Sequence, residues 1–334
     1  VGIGALLFST GIPELASLGR LLQGAGGVFA LVGAIYIATN NFPASLAATL
    51  IGATQMFGMA GGSAGQFLVG PVISAGLPWN QFWIGMGIAG LVICVLLFVL
   101  LPPQAQTQSR GHGKASVMGA FGVVFRNPQS ILCGVIAGLM FIPTTIFDMV
   151  WGVRYVQEGL GFDYTAAVLR SAAVPFGWII GCPLLGYISD RIGRRKPVII
   201  GAALVLLACF AWILHGPTGL FPPYVLGLAT GIASGAAMLP YSVIKEANPP
   251  EVSGTATGVI NFLNFTFSAL LGPVFASLLH KAADGAEAMT RQHYQAAFEP
   301  LLYGLALAII FAFLLKETGT AVRLESPATA SHQP

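Results

Sequence analysis

Residues 186–197 read Gly-Tyr-Ile-Ser-Asp-Arg-Ile-Gly-Arg-Arg-Lys-Pro and hold four of the chain's 15 Lys and Arg residues. Apolar sequence flanks this stretch, since neither residues 171–189 nor residues 198–244 contain Asp, Glu, Lys or Arg. Short loops rich in Lys and Arg face the cytoplasm in membrane proteins. We therefore predict a cytoplasmic turn between two membrane-spanning helices, and we call residues 186–197 the charged turn.

The composition predicts a protein embedded in a lipid bilayer. Only 8% of the residues are charged and 55% are hydrophobic, whereas soluble proteins carry about 25% charged residues. Residues 21–109 contain no Asp, Glu, Lys or Arg, and such a run can cross the membrane several times at about 20 residues per helix. A transmembrane β-barrel would alternate apolar and polar residues, which residues 82–101 do not. We predict an all-α polytopic membrane protein, and the modest net charge of +3 argues against a nucleic-acid partner.

Charges and turn residues divide the chain into helical spans. The chain begins within apolar sequence and without Met, so we expect two helices and the start of a third to be missing from its N-terminus. Polar residues 102–127 predict a flexible linker. The predicted domains are thus residues 1–101, the linker, a six-helix half at 128–318 and a disordered tail at 319–334. A short first segment at 1–12 precedes nine spans, at 15–39, 45–72, 79–101, 129–151, 165–188, 197–215, 221–245, 253–280 and 295–315.

Loop charges predict the orientation of these spans. The linker, the charged turn and the segment after the last span carry Lys and Arg, whereas the turns at 73–78 and 216–222 carry no charge. The positive-inside bias places the linker, the charged turn and the C-terminus in the cytoplasm. We expect a multi-pass protein of the cell (inner or plasma) membrane.

A weak internal repeat suggests two related halves. Gly24 and the triplet Asn41-Phe42-Pro43 recur at the same spacing as Gly231 and the triplet Asn248-Pro249-Pro250. Each copy lies where a repeat of six helices would put it. Chance identity is the alternative.

Two motifs carry a family resemblance. The first follows the pattern G-x-L-x-D-R-x-G-R-R, with Ile188 in the Leu position, and its matching residues are Gly186, Asp190, Arg191, Gly193, Arg194 and Arg195. The second, R-x-x-Q-G-x-G, is matched by Arg20, Gln23, Gly24 and Gly26. On these residues the chain resembles the major facilitator superfamily (MFS) of secondary transporters. The resemblance implies two six-helix halves related by a pseudo-twofold axis, of which this chain holds helices three (in part) to twelve.

The charged turn then lies between the eighth and ninth helices of the family. Gly193 permits a tight turn, and the arginines can pair with carboxylates or lipid phosphates. The resemblance implies a cytoplasmic gate in which Asp190 faces the helix that starts near residues 43–45, and in which Glu246 pairs with Arg191 or Arg194. A basic loop that only anchors the topology is the alternative.

Ionisable groups inside a membrane are costly and therefore mark candidate sites. Thr144, Asp148, Trp151 and Tyr155 recur at helical spacing, which predicts one shared face. The resemblance implies that this face lines a central cavity, with Asp148 as a protonatable carboxylate; pairing of Asp148 with Arg154 at the boundary is the alternative. The other candidates for a substrate or proton cavity are Arg20, Gln23, Arg170, Ser234 and Tyr241.

These candidates have competing roles. Arg170 either neutralises Asp148, binds an anionic substrate or lies at the interface. The resemblance implies proton coupling for Arg20, and interfacial snorkelling is the alternative. Tyr241 either donates a hydrogen bond into the cavity or packs between helices.

Solute transport by alternating access is the favoured function, as proton-coupled uptake (symport). Drug antiporters of the family carry G-x-x-x-G-P-x-x-G-G on the fifth helix, and here Gln66 replaces the proline. This difference makes drug efflux a less favoured function than uptake. A receptor or scaffold on the same fold is a further alternative. The spans contain no H-E-x-x-H motif, so we expect no enzyme activity, no metal and no cofactor other than an ion gradient. The expected partners are lipid and a small-molecule substrate, and we expect a monomer.

Overall fold

The structure is a computed structural model that describes residues 1–65, 69, 72, 73, 75–100, 117–217, 223–286 and 288–321. These residues form helices joined by short turns, and none of them lies in a β-strand. By their contacts the residues fall into two compact units. One comprises Val1–Ile37 and Ala64–Ala115, and the other comprises Ala38–Ser63 and Ser116–Pro334.

The first unit contains a short helix packed between longer ones. Glycines permit this close approach, because a Cβ atom at Gly2 would lie 2.9 Å from the carbonyl oxygen of Gly87, and one at Gly19 would lie 2.9 Å from the amide nitrogen of Phe8. The helices concerned are α1 (Gly2–Ser9), α2 (Pro13–Asn41, whose last residues belong to the second unit) and α4 (Trp79–Leu100).

The second unit contains the remaining helices. They are α3 (Ala47–Ala64, whose last residue belongs to the first unit), α5 (Val117–Arg126), α6 (Pro128–Gly159), α7 (Tyr164–Ile192), α8 (Lys196–His215), α9 (Tyr224–Glu246), α10 (Ser253–Ala283) and α11 (Arg291–Leu314).

Eight helices of the described residues are long and apolar enough to cross a membrane. They are α2, α4 and the six helices from α6 to α11, and they match eight of the nine predicted spans. The ninth predicted span, at 45–72, contains α3, which is not among the eight. The all-α polytopic fold predicted from the sequence is confirmed.

Helices α7 and α9 form the tightest pair of the second unit. A Cβ atom at Gly231 would collide with the carbonyl oxygen of Val174 and would lie 2.8 Å from the Cα atom of Gly177. Small residues let membrane helices approach until their backbones touch. The backbone of α9 therefore rests directly on that of α7.

Among the described residues of the membrane-length helices, α6 and α9 contain segments that depart from regular α geometry. Within α6 the segment Pro143–Trp151 is a π-helix, and within α9 the segment Gly235–Met238 is a 3₁₀-helix. Pro143 removes a backbone donor at the start of the first segment. Such segments change the number of residues per turn and so move side chains to another side of the helix.

Three expectations about domains need correction. The linker predicted at 102–127 ends in a helix, α5, because its last residues are apolar enough to pack against the bundle; Val124 is fully buried. Residues 38–63, expected with the first domain, group with the helices that follow the linker. The tail predicted as disordered is ordered at residues 319–321, where Ala321 donates a backbone hydrogen bond to Gly193. Residues 101–116 and 322–334 lie outside the described residues.

The packing of α7 against α9 generates a prediction. Gly231→Ala should lower the free energy of unfolding by about 1–3 kcal/mol, because the added methyl group meets backbone atoms that cannot rotate away. Gly201→Ala is the matched control, since a Cβ atom there meets nothing within 4 Å. Thermal unfolding of the detergent-solubilised protein measures both, and equal unfolding temperatures for the two variants would contradict the close packing.

Candidate functional site

The charged turn begins where α7 ends. Gly193 adopts a left-handed conformation with φ of 70°, and its amide donates to the carbonyl oxygen of Ser189 at 3.0 Å. A side chain would strain this conformation and would also press on Ala321, 3.0 Å from the ideal Cβ position. Glycine at this position therefore allows α8 to start at Lys196, three residues later.

Asp190 connects the charged turn to a helix that precedes the linker. Its Oδ2 atom accepts hydrogen bonds from the backbone amide of Thr49 at 2.9 Å and from the Thr49 hydroxyl at 2.8 Å. Thr49 lies in the first turn of α3, which is the helix start that we expected Asp190 to face. A carboxylate at a helix N-terminus is stabilised by the helix dipole as well as by the hydrogen bonds.

Arg195 is the centre of a buried ionic cluster. Its guanidinium contacts Asp190 Oδ1 through Nη1 at 2.5 Å and Glu246 Oε1 through Nη2 at 2.8 Å, and the side chain is 1% exposed. Nη1 also donates to the Ser189 hydroxyl at 3.1 Å. Burial by itself lowers the pKa of Arg195, but the hydrogen bonds and charges of Glu246 and Asp190 outweigh burial and raise that pKa above its ordinary value. Arg195 therefore stays charged.

The expected partner of Glu246 needs correction. We expected Arg191 or Arg194 to pair with Glu246, but the residue that binds it is Arg195. Arg191 is the last but one residue of α7, and both it and Arg194 are exposed. Arg195 precedes the first residue of α8, and this position turns its side chain inward.

Glu317 belongs to the same cluster and was missed in the sequence. Its Oε1 atom accepts hydrogen bonds from the backbone amides of Arg195 at 2.7 Å and Lys196 at 3.1 Å. These amides stand at the start of α8, where backbone donors lack helical partners. An acidic residue directly after the last span was the available signal, but it could not show which helix start Glu317 would reach.

A second ionic cluster joins α6 to α7. Asp148 Oδ1 accepts a hydrogen bond from Arg170 Nη1, and both side chains are almost completely buried. The Ser171 hydroxyl donates to the backbone oxygen of Asp148 at 3.2 Å. Asp148 Oδ2 has no hydrogen-bond partner among the described residues. Of the alternatives for these residues, the structure therefore shows neutralisation of Asp148 by Arg170. Arg154 binds Glu158 instead, at 3.1 Å.

The single face predicted for Thr144, Asp148, Trp151 and Tyr155 forms only in part, because Thr144 and Asp148 both bind α7 whereas Tyr155 binds α8. The Thr144 hydroxyl accepts from Trp178 Nε1 at 3.0 Å, whereas the Tyr155 hydroxyl donates to the carbonyl oxygen of Ile213. Trp151 lies under the guanidinium of Arg154, 5.6 Å from the ring centroid. The π-helix has more than 3.6 residues per turn, so helical spacing in the sequence no longer places all four residues on a common side.

Tyr241 bridges two helices of the second unit. Its hydroxyl donates to Asn261 Oδ1 at 3.1 Å and accepts from Asn264 Nδ2 at 3.4 Å, and the side chain is buried. Ser234, on the same helix as Tyr241, is also buried, and its hydroxyl has no partner within the described part of the chain. The structure thus gives Tyr241 a bridging role between α9 and α10.

Arg20 and Gln23 lie together in the first unit. The guanidinium carbon of Arg20 is 4.2 Å from the ring centroid of Phe8 and 5.0 Å from that of Trp83. Its Nη1 atom donates to Gln23 Oε1 at 3.3 Å. A cation over two aromatic faces is held in place by cation–π attraction. A role of Arg20 in proton coupling stays a prediction.

The Arg195 cluster generates a stability prediction. Arg195→Ala should destabilise the protein by about 3–5 kcal/mol, because it leaves the carboxylates of Asp190 and Glu246 buried without their cation. Arg191→Ala is the matched control in the same turn, and an exposed residue of this kind should change stability by at most about 0.5 kcal/mol. Unfolding in detergent measures both variants. Equal losses of unfolding free energy in the two variants would show that the overall charge of the turn stabilises it, and not the buried guanidinium.

Comparison with known proteins identifies the family. Three relatives are each 25% identical: the membrane sensor protein UhpC of Salmonella typhimurium, the sugar transporter ERD6-like 8 of Arabidopsis thaliana and the class E tetracycline resistance protein of Escherichia coli. The alignments cover 63%, 78% and 83% of this chain and 53%, 63% and 68% of the relatives, so the chain spans roughly half to two thirds of their length. The model of the Major Facilitator Superfamily matches residues 1–273. The chain therefore belongs to the Major Facilitator Superfamily.

Proposed function

We propose that this chain belongs to a secondary transporter that moves a small solute across the membrane by alternating access. The observation that carries the proposal is the buried contact of Arg195 with Asp190, since Asp190 also binds the first turn of α3. The contact of Asp190 with Thr49 joins a helix before the 102–127 linker to a turn after it. A transporter that opens to alternate sides needs such a contact that forms in one state and breaks in another.

The charged turn acts as the gate in this proposal. Breaking the contact to α3 removes two hydrogen bonds to the Asp190 carboxylate, and hydrogen bonds to charged groups are worth about 1.5–3 kcal/mol each. Hydration of the exposed carboxylate and of the freed Thr49 groups offsets much of this cost. The energy difference between closed and open gate is then small enough for a bound solute or an ion to reverse it.

Proton coupling through Asp148 completes the proposed mechanism. Asp148 Oδ1 binds Arg170, whereas Oδ2 lies buried without a hydrogen-bond partner among the described residues. A proton added at Oδ2 removes the negative charge and so weakens the hold on Arg170. Protonation would thereby change the contact between α6 and α7.

Direction, substrate and location are parts of the same proposal. We favour uptake in symport with protons into the cytoplasm, with a small solute as substrate, a monomeric protein and the cell membrane as its place. The relatives are named for a sensor, for sugar transport and for tetracycline resistance. Each is 25% identical to this chain, so their names do not favour one substrate over another. Gln66, the residue that made efflux the less favoured function, lies outside the described residues. The sensor among the relatives makes signalling without transport the second candidate.

Transport by the full-length protein in proteoliposomes tests the function. A screen of sugars, organic acids and amphipathic cations under an imposed pH gradient should find a solute that accumulates with the gradient and stops when the gradient is collapsed. A solute that accumulates on the side from which protons flow would indicate antiport instead of symport. Binding of a solute without any flux would favour the sensor.

Asp148→Asn should abolish gradient-driven accumulation while solute exchange at equal pH persists, because exchange does not require net proton movement. Asp148→Asn/Arg170→Gln should behave in the same way and should fold better, since removal of both charges leaves no buried unpaired ion. Glu158→Gln is the matched control, because Glu158 is an exposed acid at the same end of α6. Undiminished accumulation by the double variant would exclude Asp148 as the coupling group.

The gate generates a separate prediction. Ala48 is buried beside Gly186, so a cysteine in its place should react slowly with a maleimide reagent. Adding Asp190→Asn should raise the reaction rate about tenfold or more, because a charged acceptor of the two Thr49 hydrogen bonds is lost. Asp163→Asn, at the N-terminus of α7, serves as the control background. An unchanged rate with Asp190→Asn would contradict the role of Asp190 as a latch.

A further inference from the structure

An apolar groove runs along the second unit between α7, α8 and α9. Its volume is about 430 Å³ and its walls consist of aliphatic side chains and glycine. Small residues leave the space open: Gly201 lies on α8, Ala229 and Ala233 lie on α9, and a Cβ atom at Gly201 would meet nothing within 4 Å. The groove opens on the outer surface of the bundle, since Val205 in its wall is 52% exposed.

One end of the groove lies beside the charged turn. Ile188 of α7 and Val198 of α8 line the groove, and the charged turn connects these two helices. Arg191 follows Ile188 by three residues and so lies on the same side of α7. Side chains of a helix lean toward its N-terminus, which directs Arg191 back along α7 toward the groove.

Arg191 differs from Arg195 in what it can bind. Arg195 is buried and its charge is taken up by Asp190 and Glu246. Arg191 is exposed, and within the described residues no carboxylate lies within ion-pair distance of it. Arg191 thus presents positive charge at the boundary of the spans that end at Ile192 and begin at Lys196.

We propose that this groove binds an anionic phospholipid, with one acyl chain between α7, α8 and α9 and the headgroup phosphate on Arg191. The apolar walls exclude a polar occupant, and the three helices that form them are long and apolar enough to cross a membrane, which favours an acyl chain as the occupant. The positive rim selects an anionic headgroup, since each basic residue near a membrane surface favours anionic lipid. The proposal concerns lipid recognition and does not depend on the solute that the protein carries.

The experiment measures lipid binding to the full-length protein by native mass spectrometry in detergent. Phosphatidylglycerol and phosphatidylcholine with identical acyl chains are titrated in parallel. Phosphatidylglycerol should bind more tightly, and Arg191→Gln should weaken its binding about fivefold while leaving phosphatidylcholine nearly unchanged. Gly201→Phe should weaken both lipids at least about tenfold, since displacing two methylene groups from the groove is enough for that change.

Matched controls separate the groove from general effects. Gly272→Phe places the same ring at another glycine with no atom within 4 Å, and Lys281→Gln removes an exposed charge at the far end of α10. Neither should change the preference for phosphatidylglycerol.

An affinity unaltered by Gly201→Phe, or by Arg191→Gln, would overturn the proposal. Displacement of the lipid by millimolar inorganic phosphate would overturn it too, because it would show a plain anion site. Arg191→Gln changes only an exposed residue, so it decides the question even if Gly201→Phe does not fold.

Discussion

The fold of the second unit depends on the balance of one buried cation. The guanidinium of Arg195 contacts Asp190 and Glu246, and its backbone amide donates to Glu317, so three carboxylates meet at this one residue. Burial of unbalanced charge is costly, and two helix starts supply what the guanidinium lacks. Asp190 binds the first turn of α3, and Glu317 binds the first amides of α8. Helix N-termini carry partial positive charge. The cluster therefore holds together the ends of α7, α8 and α9, the start of α3 and the chain after α11.

Much of this arrangement could be predicted because it follows from hydropathy and loop charge. Apolar runs of membrane length between charged turns give the helices directly. Asp190 and Gly193 could be assigned their places because each sits at a helix end, where the chemistry of the residue and the geometry of the backbone are tied together. The contact of Asp190 with α3 followed from the family resemblance and not from local sequence.

Other features could not be predicted because they depend on how helices pack. Three arginines stand within five residues of the charged turn, and sequence alone does not show which one turns inward. The π-helix around Asp148 breaks the periodicity by which a common face was assigned. Glu317 lies 122 residues after its partner Arg195, and no local pattern relates the two. In each case the deciding quantity is the direction of a side chain in the assembled bundle.

Helix α7 connects the two ionic clusters. Arg170 near its start binds Asp148 of α6, and Asp190 near its end binds α3 and Arg195. The twenty residues between them span about 30 Å at the rise of an α-helix. Along this length the backbone of α7 touches that of α9 at Gly177 and Gly231, where no side chain separates the two helices. In the proposed mechanism, a change in the charge of Asp148 would act on the start of α7, and movement of α7 together with α9 would carry that change to the charged turn.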